Sequence, residues 1–248
     1  MLKYLAILLI SSSVWGFEDH SEMIRYLKNQ IDHAVYCAEY ELTKLPEAVV
    51  SVKGMPTKKN RIMLNTIGEI SSLYPARYLE VGSRNGSTFI SMMYGNRFTQ
   101  AFAIEDWSLQ SALFKEFKEN CSKFLFSQFT YIDRDWHRPS TLNKLHGQKF
   151  DIYLYDGSHA PETQYNSWKF IDLVLSDVFI AIVPDWASAN TRTATEKAFE
   201  DLEYQVIKKI EIKPNLKNTK GLWNGVMVAL IKKKQVISEV VEDQDLKG

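Results

Sequence analysis

Asp156 and His159 stand three residues apart in the segment Asp151-Ile152-Tyr153-Leu154-Tyr155-Asp156-Gly157-Ser158-His159, a pairing suited to proton transfer. An imidazole titrates near neutrality and can take the proton of a hydroxyl, while a carboxylate beside it either orients the ring or binds a metal ion. Asp185, after the next apolar run, is a second carboxylate for such a metal, but the residue before it is Pro184, which offers no ligand. Magnesium would then rely on water for its remaining oxygens. A plainer account of His159 is that it caps the helix opening at Pro161, with Glu162 favourably placed in the first turn. Upstream, Glu80-Val81-Gly82-Ser83-Arg84-Asn85-Gly86 sets two glycines in one turn, where backbone can approach a ligand closely, and Ser87 and Thr88 are placed to start a helix behind it. Trp107, Trp136, Trp186 and Trp223 are available either to wall an aromatic pocket or simply to pack in the core and rim.

These residues need a scaffold that brings them to one place. Strand-like apolar runs at 77–81, 101–105, 129–132, 151–155 and 178–183 alternate with helical stretches near 87–94, 109–124, 141–145 and 161–175. Strict alternation predicts an α/β fold with a mostly parallel sheet covered on both faces. In such sheets ligands bind beyond the carboxyl ends of the strands. Every one of the five ends carries an acid: Glu80, then Glu105 and Asp106, then Asp133 and Asp135, then Asp156, then Asp185. Turn preference alone explains two or three of these positions, less easily all five. A carboxylate after the second strand can accept both hydroxyl protons of a ribose. A helix at 193–202 then leads to strands at 205–212 and 225–231, joined by a polar segment, 213–223, read as a mobile loop over the site. Ahead of the sheet, helical spacing covers 21–45 and 58–73, with a connector at 49–56.

The 248 residues, 45% of them hydrophobic, are enough for one substantial core. Thirty basic and thirty acidic side chains cancel, so no global field draws the chain to nucleic acid or an anionic membrane, and a small or neutral partner is expected. Lys3, an apolar run over 4–10 and small residues up to Gly16 have the order of a secretory signal, which implies an exported or periplasmic protein. The run is too short to span a bilayer. The alternative is an uncleaved amphipathic helix on a cytoplasmic protein. Cys37 and Cys121 could form one disulfide outside the cytoplasm or remain buried thiols. The expected organisation is a signal peptide at 1–16, an accessory helix and connector at 17–56, the main domain at 57–233 and a disordered tail at 234–248.

The decapeptide Leu79-Glu80-Val81-Gly82-Ser83-Arg84-Asn85-Gly86-Ser87-Thr88 resembles the first motif of class I S-adenosylmethionine-dependent methyltransferases. More narrowly it is similar to the family 24-like subgroup, in which an E-x-G-x-x-x-G-x-S turn is followed by an acid-Trp pair and a D-G-x-H segment. Glu105-Asp106-Trp107 and Asp156-Gly157-Ser158-His159 supply the last two, and the resemblance covers about 62–232. It implies a doubly wound, Rossmann-like seven-stranded sheet, order 3-2-1-4-5-7-6 with the last strand antiparallel, and N-terminal accessory helices. It also implies S-adenosylmethionine as cofactor: Glu80 and Gly82 at its amino-acid part, Ser83, Gly86 and Ser87 in the same turn, Glu105 with Asp106 at the ribose, and Asp135 near adenine. Asp156 and His159 would be catalytic. Some relatives hold a divalent metal, and the corresponding ligands here would be Asp156 and Asp185, with magnesium the ion expected. The implied reaction is O-methylation of a small hydroxylated acceptor. An exported chain would lack the cytoplasmic methyl donor, so the alternative is an exported, non-catalytic protein that keeps the fold as a binding module. A nicotinamide oxidoreductase would want G-x-G-x-x-G, which this turn lacks.

Overall fold

A computed structural model describes residues 19–213 and 224–234. The signal-like segment, most of the 213–223 linker with Trp223, and the tail from residue 235 lie outside the described residues. The first described helix, α1 (His20–Glu39), is capped by the Asp19 carboxylate, which accepts from the Glu22 N–H. It ends six residues earlier than the spacing predicts. Glu41 takes a left-handed φ of 55°, and the N–H groups of Glu41 and Leu42 return to the carbonyls of Ala38 and Cys37. This is a Schellman ending built without the usual glycine, so the sequence does not signal it. The connector holds a single turn of helix, α2 (Glu47–Val50), and α3 (Lys58–Gly68) begins at a Thr57/Asn60 capping box. A 3₁₀ turn over Glu69–Ser72 completes the second helical region.

From there strand and helix alternate: β1 (Arg77–Val81), α4 (Ser87–Met93), β2 (Gln100–Glu105), α5 (Ser111–Phe124), β3 (Thr130–Asp133), α6 (Pro139–Leu145), β4 (Phe150–Tyr155), α7 (Pro161–Ile171), β5 (Leu175–Pro184) and α8 (Ala189–Asp201). Two further strands follow, β6 (Gln205–Ile212) and β7 (Val226–Lys232). The sheet order is β3-β2-β1-β4-β5-β7-β6, with the first five strands parallel and β7 antiparallel to both neighbours. The expected seven-stranded, doubly wound sheet is therefore present.

Period-two alternation along the central strands sorts the core into two layers. Tyr78, Ala103, Ile152, Ile180 and Val228 face the layer that holds α1, α3, α4 and Phe117 of α5. Leu79, Ile104, Tyr153, Phe179 and Ala229 face Leu145 of α6, Trp168 of α7 and Phe199 of α8. Both faces of β4 and β5 are thus buried, which is why they read as continuous apolar runs. The accessory helix α1 shares the first layer through Leu27, Ile31 and Ala34. Arg61 fastens the connector: its buried guanidinium donates to the carbonyls of Val49, Val52 and Ser87, and its Nε to that of Pro56. Cys37 and Cys121 are buried free thiols. Among the described residues no helix is long and apolar enough to cross a membrane.

Candidate active site

The strand order reverses between β1 and β4, and there the rim is assembled. Gly82 follows β1 at φ 95°, and a Cβ on it would sit 2.1 Å from the carbonyl oxygen of Asp156. Glycine is required here because β4's end presses on the turn. Gly86, at φ 86°, is likewise closed off by the Phe117 ring at 3.0 Å. Between them Arg84 holds a left-handed φ of 43°, a conformation that costs a non-glycine residue roughly 1 kcal/mol. Both of its peptide groups are clamped. Its N–H donates to Glu105 Oε2 at 3.0 Å, and its carbonyl accepts from the Trp107 indole at 2.6 Å. The acid-Trp pair after β2 therefore shapes the turn after β1.

A cleft of about 110 Å³ opens on this rim, bounded by Gly82, Glu105, Asp106, Asp135, Trp136 and Ser158, among others. Ligand pockets usually span roughly 300–1,000 Å³, so a nucleoside-sized group would fill the cleft and lie partly along the open rim. Of the expected cofactor residues, Gly82, Glu105, Asp106 and Asp135 line it. Glu105 is half-buried, and burial raises its carboxyl above the ordinary range. Asp106 also caps the 3₁₀ turn Trp107–Leu109 through Ser108 N–H, and Asp135 accepts from the backbone and ring of His137.

Glu80, Ser83, Gly86 and Ser87 do not line the cleft. Glu80 is fully buried one layer below, where its carboxylate accepts from the hydroxyls of Tyr78 and Thr88. Burial pushes Glu80 up to about 7. Ser87 turns its hydroxyl towards Gly54 in the connector. Trp107 belongs to the core against Phe114 and Phe117, whereas Trp136 forms one wall of the cleft. Trp186 is buried, with Lys209 over its ring.

Beside the cleft, the ends of β4 and β5 bring together Asp156, His159 and Asp185. His159 Nε2 lies 2.9 Å from Asp185 Oδ2 and 3.8 Å from Asp156 Oδ1. One ligand atom from each residue falls within 4.8 Å of the others. Asp185 adopts φ 55°, tolerated by aspartate, and also accepts from the Asn224 N–H. His159 is not the helix cap: the cap position of α7 is Ala160, without a side-chain bond. The contact with Asp185 raises the imidazole above its ordinary value and lowers the carboxyl of Asp185. Burial, aided by the charge of Asp185, pushes Asp156 up to about 8. Asp156 is thus biased towards its protonated form, while the His159–Asp185 contact favours the charged form of both its partners. A larger hollow of about 330 Å³ lies between the beginnings of α7 and α8, lined by Pro161, Tyr165, Ala189, Asn190, Thr193 and Lys197 among others.

The sequence matches no family profile and no curated protein. Solved structures share its architecture. The O-methyltransferase TomG from Streptomyces achromogenes, involved in tomaymycin synthesis and solved with S-adenosylmethionine, is 15% identical over 94% of this chain and 99% of its own, with a TM-score of 0.52. A protein described as an RNA methyltransferase from Pyrococcus horikoshii is 13% identical over 84% of this chain and 100% of its own, at 0.53. The fold is that of class I methyltransferases.

Within that fold, sequence reasoning named Glu105, Trp107 and His159 but missed how they act on other residues. Trp107 and Glu105 clamp Arg84, Thr88 and Tyr78 satisfy Glu80, and His159 joins the two aspartates, where Asp156 and Asp185 alone were expected as metal ligands. The place of Glu80 was open to inference, because it stands two residues after Tyr78 and so faces the same layer.

Proposed function

We propose that the chain is an S-adenosylmethionine-dependent methyltransferase acting on a hydroxyl of a small acceptor. The observation that carries this reading is the juxtaposition on one rim of an acid-flanked cleft, with Glu105 at the end of β2, and the Asp156–His159–Asp185 group. The donor set fits the cofactor: Glu105 spends one oxygen on Arg84, leaving its other to accept from ribose hydroxyls, and Asp106 stands beside it. When bound, the sulfonium supplies a methyl group that is already activated. The protein's part is then to align the acceptor and receive its proton, and alignment alone can be worth on the order of 7–11 kcal/mol. The proton goes to the Asp156–His159–Asp185 group, whose base form appears when Asp156 ionises. The hollow at the start of α7 and α8, whose lining begins at Pro161 two residues after His159, is of ligand-pocket size and is the space we assign to the acceptor.

A divalent metal at Asp156 and Asp185 would include His159 as a third ligand. Two carboxylates and an imidazole suit manganese, iron or zinc better than magnesium, which prefers oxygen ligands throughout. The trio is therefore a poor fit to magnesium. The order of residues 3–16 supports export, and with it a second reading, a protein outside the cytoplasm that keeps the cleft for binding alone.

Transfer of labelled methyl from S-adenosylmethionine to a panel of small phenols, sugars and alcohols tests the proposal. Transfer that falls about 10²–10⁴-fold in Asp156→Ala and His159→Ala, with donor affinity kept, is expected. Donor binding without transfer to any hydroxyl would favour the binding module.

A further inference from the structure

We infer that Gln164 is a positioning residue for His159: its carboxamide oxygen takes the Nδ1 proton of the imidazole, so that Nε2 is the nitrogen presented to Asp156 and Asp185. Gln164 lies in α7, fully buried, and its Nε2 donates to Thr195 Oγ1 of α8 at 3.0 Å. That bond spends the donor end of the amide on the neighbouring helix. What remains is Oε1, which is buried and has no hydrogen-bond partner, and His159 Nδ1 is buried and unpartnered in the same way. Buried polar atoms are nearly always satisfied. The acceptor left over on Gln164 and the nitrogen left over on His159 are each other's natural partners, and the interaction of Gln164 with the ring favours the charged imidazole.

The other ring nitrogen dictates the same assignment. His159 Nε2 points at Asp185 Oδ2 at 2.9 Å, so its proton has a carboxylate to go to. A charged imidazole must then place a second proton, and only an acceptor at Nδ1 can take it. Were Nε2 to hold a cation instead, Nδ1 would still need an acceptor, since a ligating histidine donates through its free nitrogen. The chain Thr195–Gln164–His159–Asp185 thus ties the two helices after β4 and β5 to the group at the strand ends. That His159 handles a proton in catalysis rests on the proposed function; the hydrogen-bonded chain does not.

Heteronuclear NMR of protein carrying ¹⁵N-histidine tests this without any acceptor, with the His159 signals identified by their loss in His159→Ala. The expected result is an Nδ1–H cross-peak protected from solvent exchange. Gln164→Leu should speed its exchange at least about tenfold or erase it. Gln164→Glu should retain it, because a carboxylate oxygen replaces the amide oxygen. Thr195→Val, which keeps the packing of α7 and α8, should speed exchange by a smaller factor and serves if Gln164→Leu does not fold. A bare Nδ1 in the wild type would mean that the amide is turned the other way and would overturn the inference. So would exchange unchanged in Gln164→Leu, or in Thr195→Val where that variant stands in for it. Titration of the same samples with S-adenosylmethionine separates the two claims: no binding by the wild type refutes the proposed function and leaves the NMR result standing.

Discussion

Replacing Asp156 by asparagine should stabilise the protein in proportion to pH while removing part of the proposed proton acceptor. The carboxyl is buried beside Asp185, and its value is pushed from 3.8 up to about 8. Between those values the folded protein holds a proton that the unfolded chain has released, so stability falls as pH rises from about 4 to about 8 and levels off above. Each pKa unit is about 1.4 kcal/mol, which makes the opposition to folding on the order of 4 kcal/mol at pH 7. Asparagine has nearly the same shape and cannot ionise. Urea denaturation of both proteins at pH 4, 6 and 8 measures the effect, and the difference between them cancels the similar slopes from Glu80 and Asp151, whose values also sit high at about 7 and about 6. The mutant's advantage should be small at pH 4 and reach several kcal/mol at pH 8. A difference that does not grow with pH would refute the assignment of Asp156 as a buried, protonated acid.

The same titration sets the direction of the pH–rate profile: turnover should rise through about pH 8 as Asp156 becomes a base, and a profile already flat at pH 6 would exclude it from that role. Glu105→Ala should weaken S-adenosylmethionine by about 1–3 kcal/mol, read by calorimetry, because ribose hydroxyls lose a half-buried acceptor and Arg84 loses its clamp. Gly82→Ala should destabilise by at least about 2 kcal/mol, since a Cβ would meet the Asp156 carbonyl at 2.1 Å, whereas Gly147→Ala, with open space around it at φ 77°, should cost only about 1 kcal/mol. Equal losses in urea melts of these two variants would show that the turn is looser than described.

Much of this architecture was legible because α/β alternation leaves distinct marks. The strands are short apolar runs, and their carboxyl ends carry the acids that line the rim. β1 and β6 occupy the predicted residues, and the other strands differ at their ends. The larger departures have local causes. The run 173–175 serves a helix and a strand equally, so the helix expected to reach 175 stops at Ile171 and β5 begins at Leu175. α1 stops early at a left-handed glutamate that no glycine announces. At the site, residue types and spacing identified Asp156, His159 and Asp185, but not that Nε2 of His159 would be shared between the two aspartates. Motif matching alone grouped Gly82, which faces the cleft, with Glu80, which is sealed beneath it, although the two-residue step from Tyr78 already placed Glu80 in the buried layer. Gln164 has no mark in the sequence at all, since its part depends on a helix 31 positions away packing against its own.

The central claim is that this cleft binds the methyl donor, and calorimetric titration of the purified protein with S-adenosylmethionine tests it most directly. The expected result is saturable binding at one equivalent per chain, weakened about 5–150-fold in Glu105→Ala. Absence of binding heat at several temperatures, or affinity unaltered by Glu105→Ala, would contradict the account.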